Sequence, residues 1–325
     1  MTFLLLVGVL SGCGDSTEGG ATESTGANKD NTLKVLTLGH SLAVDSGHML
    51  AMVAHAEGRD GLKVGTLYYS GCPLGKHVEY LTKNSPEYIL YLSSTENPDE
   101  APQAMESVTM QDAIAYDDWD IIVLQGGPFE IAKDATYLSG SIQTIQKYVN
   151  ENKLNPDAVF AWHMFWVPPL DNSLRDMYPD PQNNTYYTNY KDFQDDRSVL
   201  YDAVTGCVEK HILSDDTFSF MIPSGTAMEN ALSSYLEEKD LYRDYAHASD
   251  LGRVIAAYTW YCRLYDVDAL DEIKLDVIPK KLFKSTKLTE DRVLTDSEKQ
   301  IILESVNNAL KEPLKMTPSA YTTAP

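Results

Sequence analysis

Ser41 closes the run Val35-Leu36-Thr37-Leu38-Gly39-His40-Ser41. An apolar, strand-like stretch stops at a glycine and presents a hydroxyl where a helix-like segment, 42–57, begins. Glycine permits the tight turn, and the free N–H groups at a helix start can stabilise an anion, so the hydroxyl stands where an oxygen nucleophile is useful. The same residues also read as a helix cap, a position serine favours. A serine nucleophile needs a base and a group that orients the base. Asp244-Tyr245-Ala246-His247 carries both in a polar segment ahead of a helix. At that spacing the carboxylate can hold one imidazole nitrogen while the other faces Ser41; read alone, the pair is equally an Asp–His contact at a helix start. Donors must also meet the charge that develops on a substrate carbonyl. The backbone N–H groups of Ser41 and Gly71 and the side-chain amide of Gln125 are the candidates. Separately, Gly71 is a turn glycine and Gln125 a polar residue ending a strand.

The elements that must bring these residues together alternate along the chain. Apolar strand-like runs at 35–39, 64–69, 120–125, 158–163 and 217–222 are interleaved with amphipathic segments at 74–82, 138–152, 192–212, 224–235, 251–264 and 295–310. The continuous run 120–125 suits a parallel strand covered on both faces. The segments 88–93 and 104–108 read as a hairpin, 274–277 as an edge strand, and Ser224 as a helix cap. This alternation predicts an α/β fold with a mainly parallel central sheet, whose sites lie at the carboxyl ends of strands. Ser41, Gly71, Gln125 and His163 all fall at such ends. Trp162, His163 and Trp166 follow one strand closely and are expected either in the core or as a pocket wall, with His163 touching substrate. His77 and His40 are further candidates to face the site. The Pro-, Asn- and Tyr-rich stretch 167–189, with Tyr178, Tyr186, Tyr187 and the adjoining Tyr190, is expected to border it.

The formal charge of −22 over 325 residues argues against nucleic acid as a partner, since phosphate binding needs clustered Lys and Arg. The run 3–10 is apolar but too short to span a bilayer. It leads into Leu10-Ser11-Gly12-Cys13, which resembles the lipobox of bacterial lipoprotein signal peptides, although no Lys or Arg precedes it. The expected organisation is a leader 1–13 ending at a lipidated Cys13, a Gly/Ser/Thr-rich tether 14–31, a catalytic domain 32–315 and a tail 316–325. That places the domain outside the cytoplasm, held to a membrane only through the lipid on Cys13. Cys72, Cys207 and Cys262 remain; the number is odd, so core thiols are expected rather than a disulfide framework.

The order Gly39-His40-Ser41, Gly71, Gln125, Asp244-x-x-His247 resembles the SGNH (GDSL-like) hydrolases, and more closely their bacterial DUF4886-type branch. Ser70-Gly71-Cys72-Pro73-Leu74, Asp118-Trp119-Asp120, Trp162-His163, Ile222-Pro223-Ser224-Gly225-Thr226-Ala227 and Arg243-Asp244-Tyr245-Ala246-His247 also look like signatures of that branch. The resemblance runs from about 33 to 315. It implies a flavodoxin-like three-layer α/β/α sandwich, with Ser41 as nucleophile, His247 as base, Asp244 as orienter, and Gly71 and Gln125 as oxyanion donors. Two departures stand out: His40 replaces the usual asparagine, and Gly126 stands where the branch often has a second glutamine.

The expected activity is a serine esterase removing small acyl groups, acetyl first among them, from a carbohydrate, with no metal or organic cofactor implied. A lipid or thioester acylhydrolase and a surface glycan-binding protein without the chemistry are the alternatives.

Overall fold

The computed structural model describes residues 32–178, 191–282 and 290–325. Cys13, the expected leader and tether, and Tyr186, Tyr187 and Tyr190 lie outside the described residues. The strands are β1 (Leu33–Gly39), β2 (Leu62–Tyr68), β3 (Tyr88–Ser94), β4 (Gln103–Val108), β5 (Ile121–Leu124), β6 (Val159–His163) and β7 (Phe218–Ile222). They form one sheet in the order β4-β3-β2-β1-β5-β6-β7. The five strands β2-β1-β5-β6-β7 are parallel, and β3 and β4 add an antiparallel hairpin at the β2 edge. The chain leaves β1 to one side for β2 and later returns to its other side as β5. The gap between β1 and β5 is therefore the switch point of the sheet, where open α/β sheets place their ligands.

The helices are α1 (Ser41–Ala56), α2 (Leu74–Lys83), α3 (Met110–Ile114), α4 (Asp134–Leu138), α5 (Ser141–Asn152), α6 (Asn172–Arg175), α7 (Arg197–His211), α8 (Ser224–Leu232), α9 (Glu238–Leu241), α10 (Asp250–Leu264) and α11 (Asp296–Lys311). α1, α8, α10 and α11 pack together on one face of the sheet; α2, α3, α4, α5 and α7 pack on the other. This is the expected three-layer α/β/α architecture. Val35, Leu36 and Leu38 of β1 and Ile121 to Leu124 of β5 are buried because helices cover both faces of these central strands. Among the described residues no helix is long and apolar enough to cross a membrane.

Three local expectations change, and the tail finds a place. The segment 138–152 is two helices, because Gly140 takes φ +77 and breaks the run. Pro223 occupies the cap of α8, so Ser224 is its first helical residue. Val277–Ile278 pairs with Arg292–Val293 in a separate two-stranded ribbon rather than at the edge of the main sheet. The tail beyond 315 is docked: Thr317 N–H donates to Asn230 Oδ1 at 2.7 Å, Ser319 N–H to Ser233 Oγ at 2.8 Å, and Tyr235 N–H to Tyr321 O at 2.9 Å. Cys72, Cys207 and Cys262 are buried free thiols, as expected. Burial pushes the Cys72 thiol up to about 12.

Candidate active site

The carboxyl ends of the five parallel strands lie on one rim, and β1 delivers Ser41 there. The cap of α1 is His40, with φ −134 and ψ −165, and Ser41 is the first helical residue. The cap reading of Ser41 is thereby excluded: His40 Nδ1 accepts from Leu42 N–H at 3.4 Å, and the serine hydroxyl is released for other work. His40 Nε2–H donates to the Gly126 carbonyl at 2.9 Å, tying the start of α1 to the loop after β5. The ring is fully buried, and burial drops its pKa to about 3, so it is a neutral donor–acceptor pair.

His247 comes from the loop between α9 and α10, 206 residues along the chain from Ser41. Its Nε2 stands 2.8 Å from Ser41 Oγ. Its Nδ1 lies 2.8 and 2.9 Å from the two oxygens of Asp244. Donation from Nδ1–H to the carboxylate leaves Nε2 bare to accept the serine proton. Asp244 Oδ1 also accepts the N–H groups of Ala246 at 3.0 Å and His247 at 2.9 Å, so the three-residue spacing closes a tight turn around the carboxylate. Burial works against its ionisation, but hydrogen bonding to His247 and these backbone donors holds its pKa below the usual carboxylate value. Ser41, Asp244 and His247 are each partly open to solvent.

Gly71 sits just past β2 with φ +56, a conformation that favours glycine; an added Cβ would meet nothing closer than Phe129 at 3.6 Å. The requirement there is the backbone angle rather than space. Neither the Ser41 nor the Gly71 N–H has an acceptor among the described residues.

The structure does not bring every expected residue to the rim. Gln125 follows β5 as expected, but it is 1 % exposed. Its Oε1 accepts from His163 Nδ1–H at 2.9 Å, and its Nε2 lies where a Cβ on Gly39 would approach to 2.6 Å. That nitrogen is enclosed, without a hydrogen-bond partner among the described residues. Gln125 thus belongs to the wall behind Gly39 and Ser41 rather than to the open cleft. The five side chains expected to touch substrate, His40, His77, Trp162, His163 and Trp166, are at most 1 % exposed, so that expectation is corrected for all five. Trp166 Nε1–H donates to Ala246 O at 2.9 Å and braces the turn beside His247. His163 packs edge-on against Trp260, with ring centres 4.9 Å apart, and holds Gln125. Trp162 packs on Tyr137 and Phe218. His77 stacks on Tyr88 and bonds its hydroxyl at 2.9 Å.

What does stand beside the triad is a pair of tyrosines. Tyr245 is edge-on to His247 at 5.6 Å and to Tyr178 at 4.8 Å. Tyr178 was expected from the long loop; Tyr245 was passed over as a spacer within Asp-x-x-His. Asp45 was also missed. It carries no motif, and only its ion pairs with Arg243 and Arg253 single it out. Its i,i+4 spacing from Ser41 was the one available signal, since this sets both residues on the same side of α1.

The sequence model of DUF4886, a domain of unknown function, matches residues 34–287. Among solved structures, a DUF4886 family protein from Bacteroides uniformis ATCC 8492 superposes with a TM-score of 0.71 at 23 % identity, covering 90 % of this chain and all of the other. That likeness shows the fold. A "putative SGNH hydrolase" from Slackia heliotrinireducens aligns with a TM-score of 0.41 at 17 % identity, over 71 % of this chain and 98 % of the other. No curated protein sequence matches the chain.

Proposed function

The chain belongs to the DUF4886 family, and from that premise we propose that it is a serine hydrolase acting on ester bonds, removing small acyl groups, acetyl in particular, from carbohydrate. One observation carries the reading: Ser41 Oγ, His247 and Asp244 form a continuous line of hydrogen bonds at 2.8 to 2.9 Å across 206 residues of sequence. Two distant parts of the chain, the start of α1 and the loop between α9 and α10, have to meet for that line to form. The order of motifs resembling the SGNH hydrolases supports the same chemistry.

In this mechanism Ser41 Oγ attacks the ester carbonyl carbon while His247 Nε2 takes the hydroxyl proton. Asp244 keeps Nδ1 protonated and stabilises the imidazolium. The carbonyl electron pair moves to oxygen, where the Ser41 and Gly71 N–H groups meet the charge at the start of α1. Collapse of the tetrahedral species breaks the bond to the sugar oxygen, which receives the proton from His247. Water, deprotonated by the same imidazole, then attacks the acyl-serine, and the carboxylic acid leaves. The Tyr178–Tyr245 pair suits a sugar, because aromatic rings offer an apolar face with a polar edge. The lipobox-like sequence at Cys13 supports anchorage outside the cytoplasm.

The test is hydrolysis of aryl acetates, long-chain aryl esters and acetylated oligosaccharides by the wild type and by Ser41→Ala. The expected result is a preference for acetyl and a fall in kcat of at least about 10³ in the variant. Long-chain preference points to a lipid acylhydrolase instead. Glycan binding without turnover, equal in both proteins, sinks the enzymatic reading.

A further inference from the structure

Asp45 lies one helical turn beyond Ser41 on α1 and is 1 % exposed. Every partner of its carboxylate comes from the opposite side of the site. Arg243 Nη1 reaches its two oxygens at 2.9 and 3.0 Å. Arg253 Nε donates to Oδ1 at 3.0 Å, with Nη2 also at 3.0 Å. Ala248 N–H donates to Oδ2 at 3.0 Å. These contacts join the helix that carries the serine to Arg243 and Ala248 on either side of His247 and to Arg253 on α10. Burying the charges of Asp45 and Arg253 is costly, and apolar packing would hold two elements together at less expense. An ionic contact at this place therefore calls for a reason beyond cohesion.

The groups around His247 supply one. From its own loop it faces Asp244, Tyr245 and Arg243, whose Nε is 3.9 Å from Asp244. From α1 and its cap it meets Ser41, neutral His40 and Asp45. Arg253 reaches in from α10, and Tyr178 and Tyr68 stand behind Tyr245. Two guanidinium groups thus lie near an imidazole that must become positive during the reaction. Without Asp45 they would oppose that charge, and Arg243 would be left with Asp244 as its nearest carboxylate.

We propose that Asp45 is the positioning residue of the triad: it fixes the loop of His247 against α1 and neutralises Arg243 and Arg253 behind the imidazole. The proposal rests on the esterase reading above. It makes two charge changes move the base in opposite directions. In Asp45→Asn the uncompensated guanidiniums disfavour the imidazolium, so the acidic limb of kcat/KM moves to lower pH. In Arg243→Gln one positive charge is gone while Asp45 keeps Arg253, so the limb moves to higher pH.

The experiment is the pH profile of aryl acetate hydrolysis for the wild type and both variants. Each limb is expected to shift by about half a unit to one unit, in opposite senses. For Asp45→Asn, kcat is expected to fall about tenfold or more while KM changes less than about threefold. A purely cohesive role would lower stability without opposed shifts. Ser41-dependent turnover with both limbs unmoved, or moved in the same sense, overturns this proposal alone. A wild type without Ser41-dependent turnover overturns the esterase reading and this proposal with it. Should Asp45→Asn fail to fold, Arg243→Gln decides alone: its side chain is 30 % exposed, and an unmoved limb overturns the proposal.

Discussion

His40 shows how one side chain can stand in for another of different shape. The usual asparagine at this place offers one acceptor and one donor, and a neutral imidazole offers the same two functions. Here Nδ1 accepts from the helix and Nε2–H donates to Gly126, so the ring caps α1 and anchors the turn after β5 at once. The substitution works only because the ring stays uncharged, which full burial ensures. His40→Asn is accordingly expected to keep stability and kcat within a few-fold of wild type. His40→Ala leaves the Gly126 carbonyl and a helix N–H unpaired and should cost about 1–3 kcal/mol in urea unfolding, with a larger loss of kcat. Equal behaviour of the two variants would refute this account. At the same scale the pairing of Ser41 with His247 and Asp244 was legible from type and spacing, whereas the setting of Gln125 was not. Its place at a strand end was readable, but the direction of its amide depends on His163, 38 residues away.

At the scale of elements, the triad loop is held from three sides. Trp166 braces Ala246, Asp45 binds Ala248, and α10 packs close behind. That closeness depends on Gly252: a Cβ there would lie 2.4 Å from the Leu241 carbonyl oxygen and 3.2 Å from the Ala248 Cβ. Gly252→Ala should push α10 away from α9 and lower stability by about 1–3 kcal/mol. The displacement reaches His247 through Ala248, so kcat should fall while the protein remains folded. Circular dichroism and turnover measured together check this; a stable, fully active variant would rule it out. The base of the long loop is fixed in a similar way. Arg197 donates to Glu229, Glu238 and the carbonyls of Val167 and Pro168, and so holds the chain segment that leads to Tyr178.

At the scale of the whole molecule, the buried imidazoles make the fold sensitive to acid. Burial drops His40 and His48 to about 3 and His77 to about 4, and it holds His163 well below its ordinary value. Each is neutral when folded and takes up a proton near pH 6.5 once unfolded. Their contribution is complete above that pH and is lost progressively as the pH falls through the window down to about 3 or 4. At about pH 5, the fully buried His40 and His77 each withdraw about 2 kcal/mol, a large part of the stability of many domains. Asp45 adds to this only at lower pH. Although burial opposes its ionisation, Arg253 and Arg243 hold its pKa down to about 2, so its contribution is lost from about 4 downward. Near-ultraviolet circular dichroism should report cooperative unfolding between about pH 6 and 4; an unchanged spectrum down to pH 4 would contradict it.

The sequence by itself determined the layers, the parallel core and the residues capable of nucleophilic chemistry. Those follow from local signals: apolar runs of strand length, glycine at turns, and a carboxylate three residues before an imidazole. The tertiary structure alone decided which polar residues meet the site and which lie behind it. Trp162, His163, Trp166, His40 and His77 carry groups suited to binding, but packing encloses all five. Conversely, Asp45 carries no motif and Tyr245 is only a spacer within Asp-x-x-His; Asp45 matters because the chain closes on it across 203 residues, and Tyr245 because Tyr178 packs against its ring. Burial and long-range ion pairs depend on what arrives from elsewhere in the chain, and no local pattern encodes that.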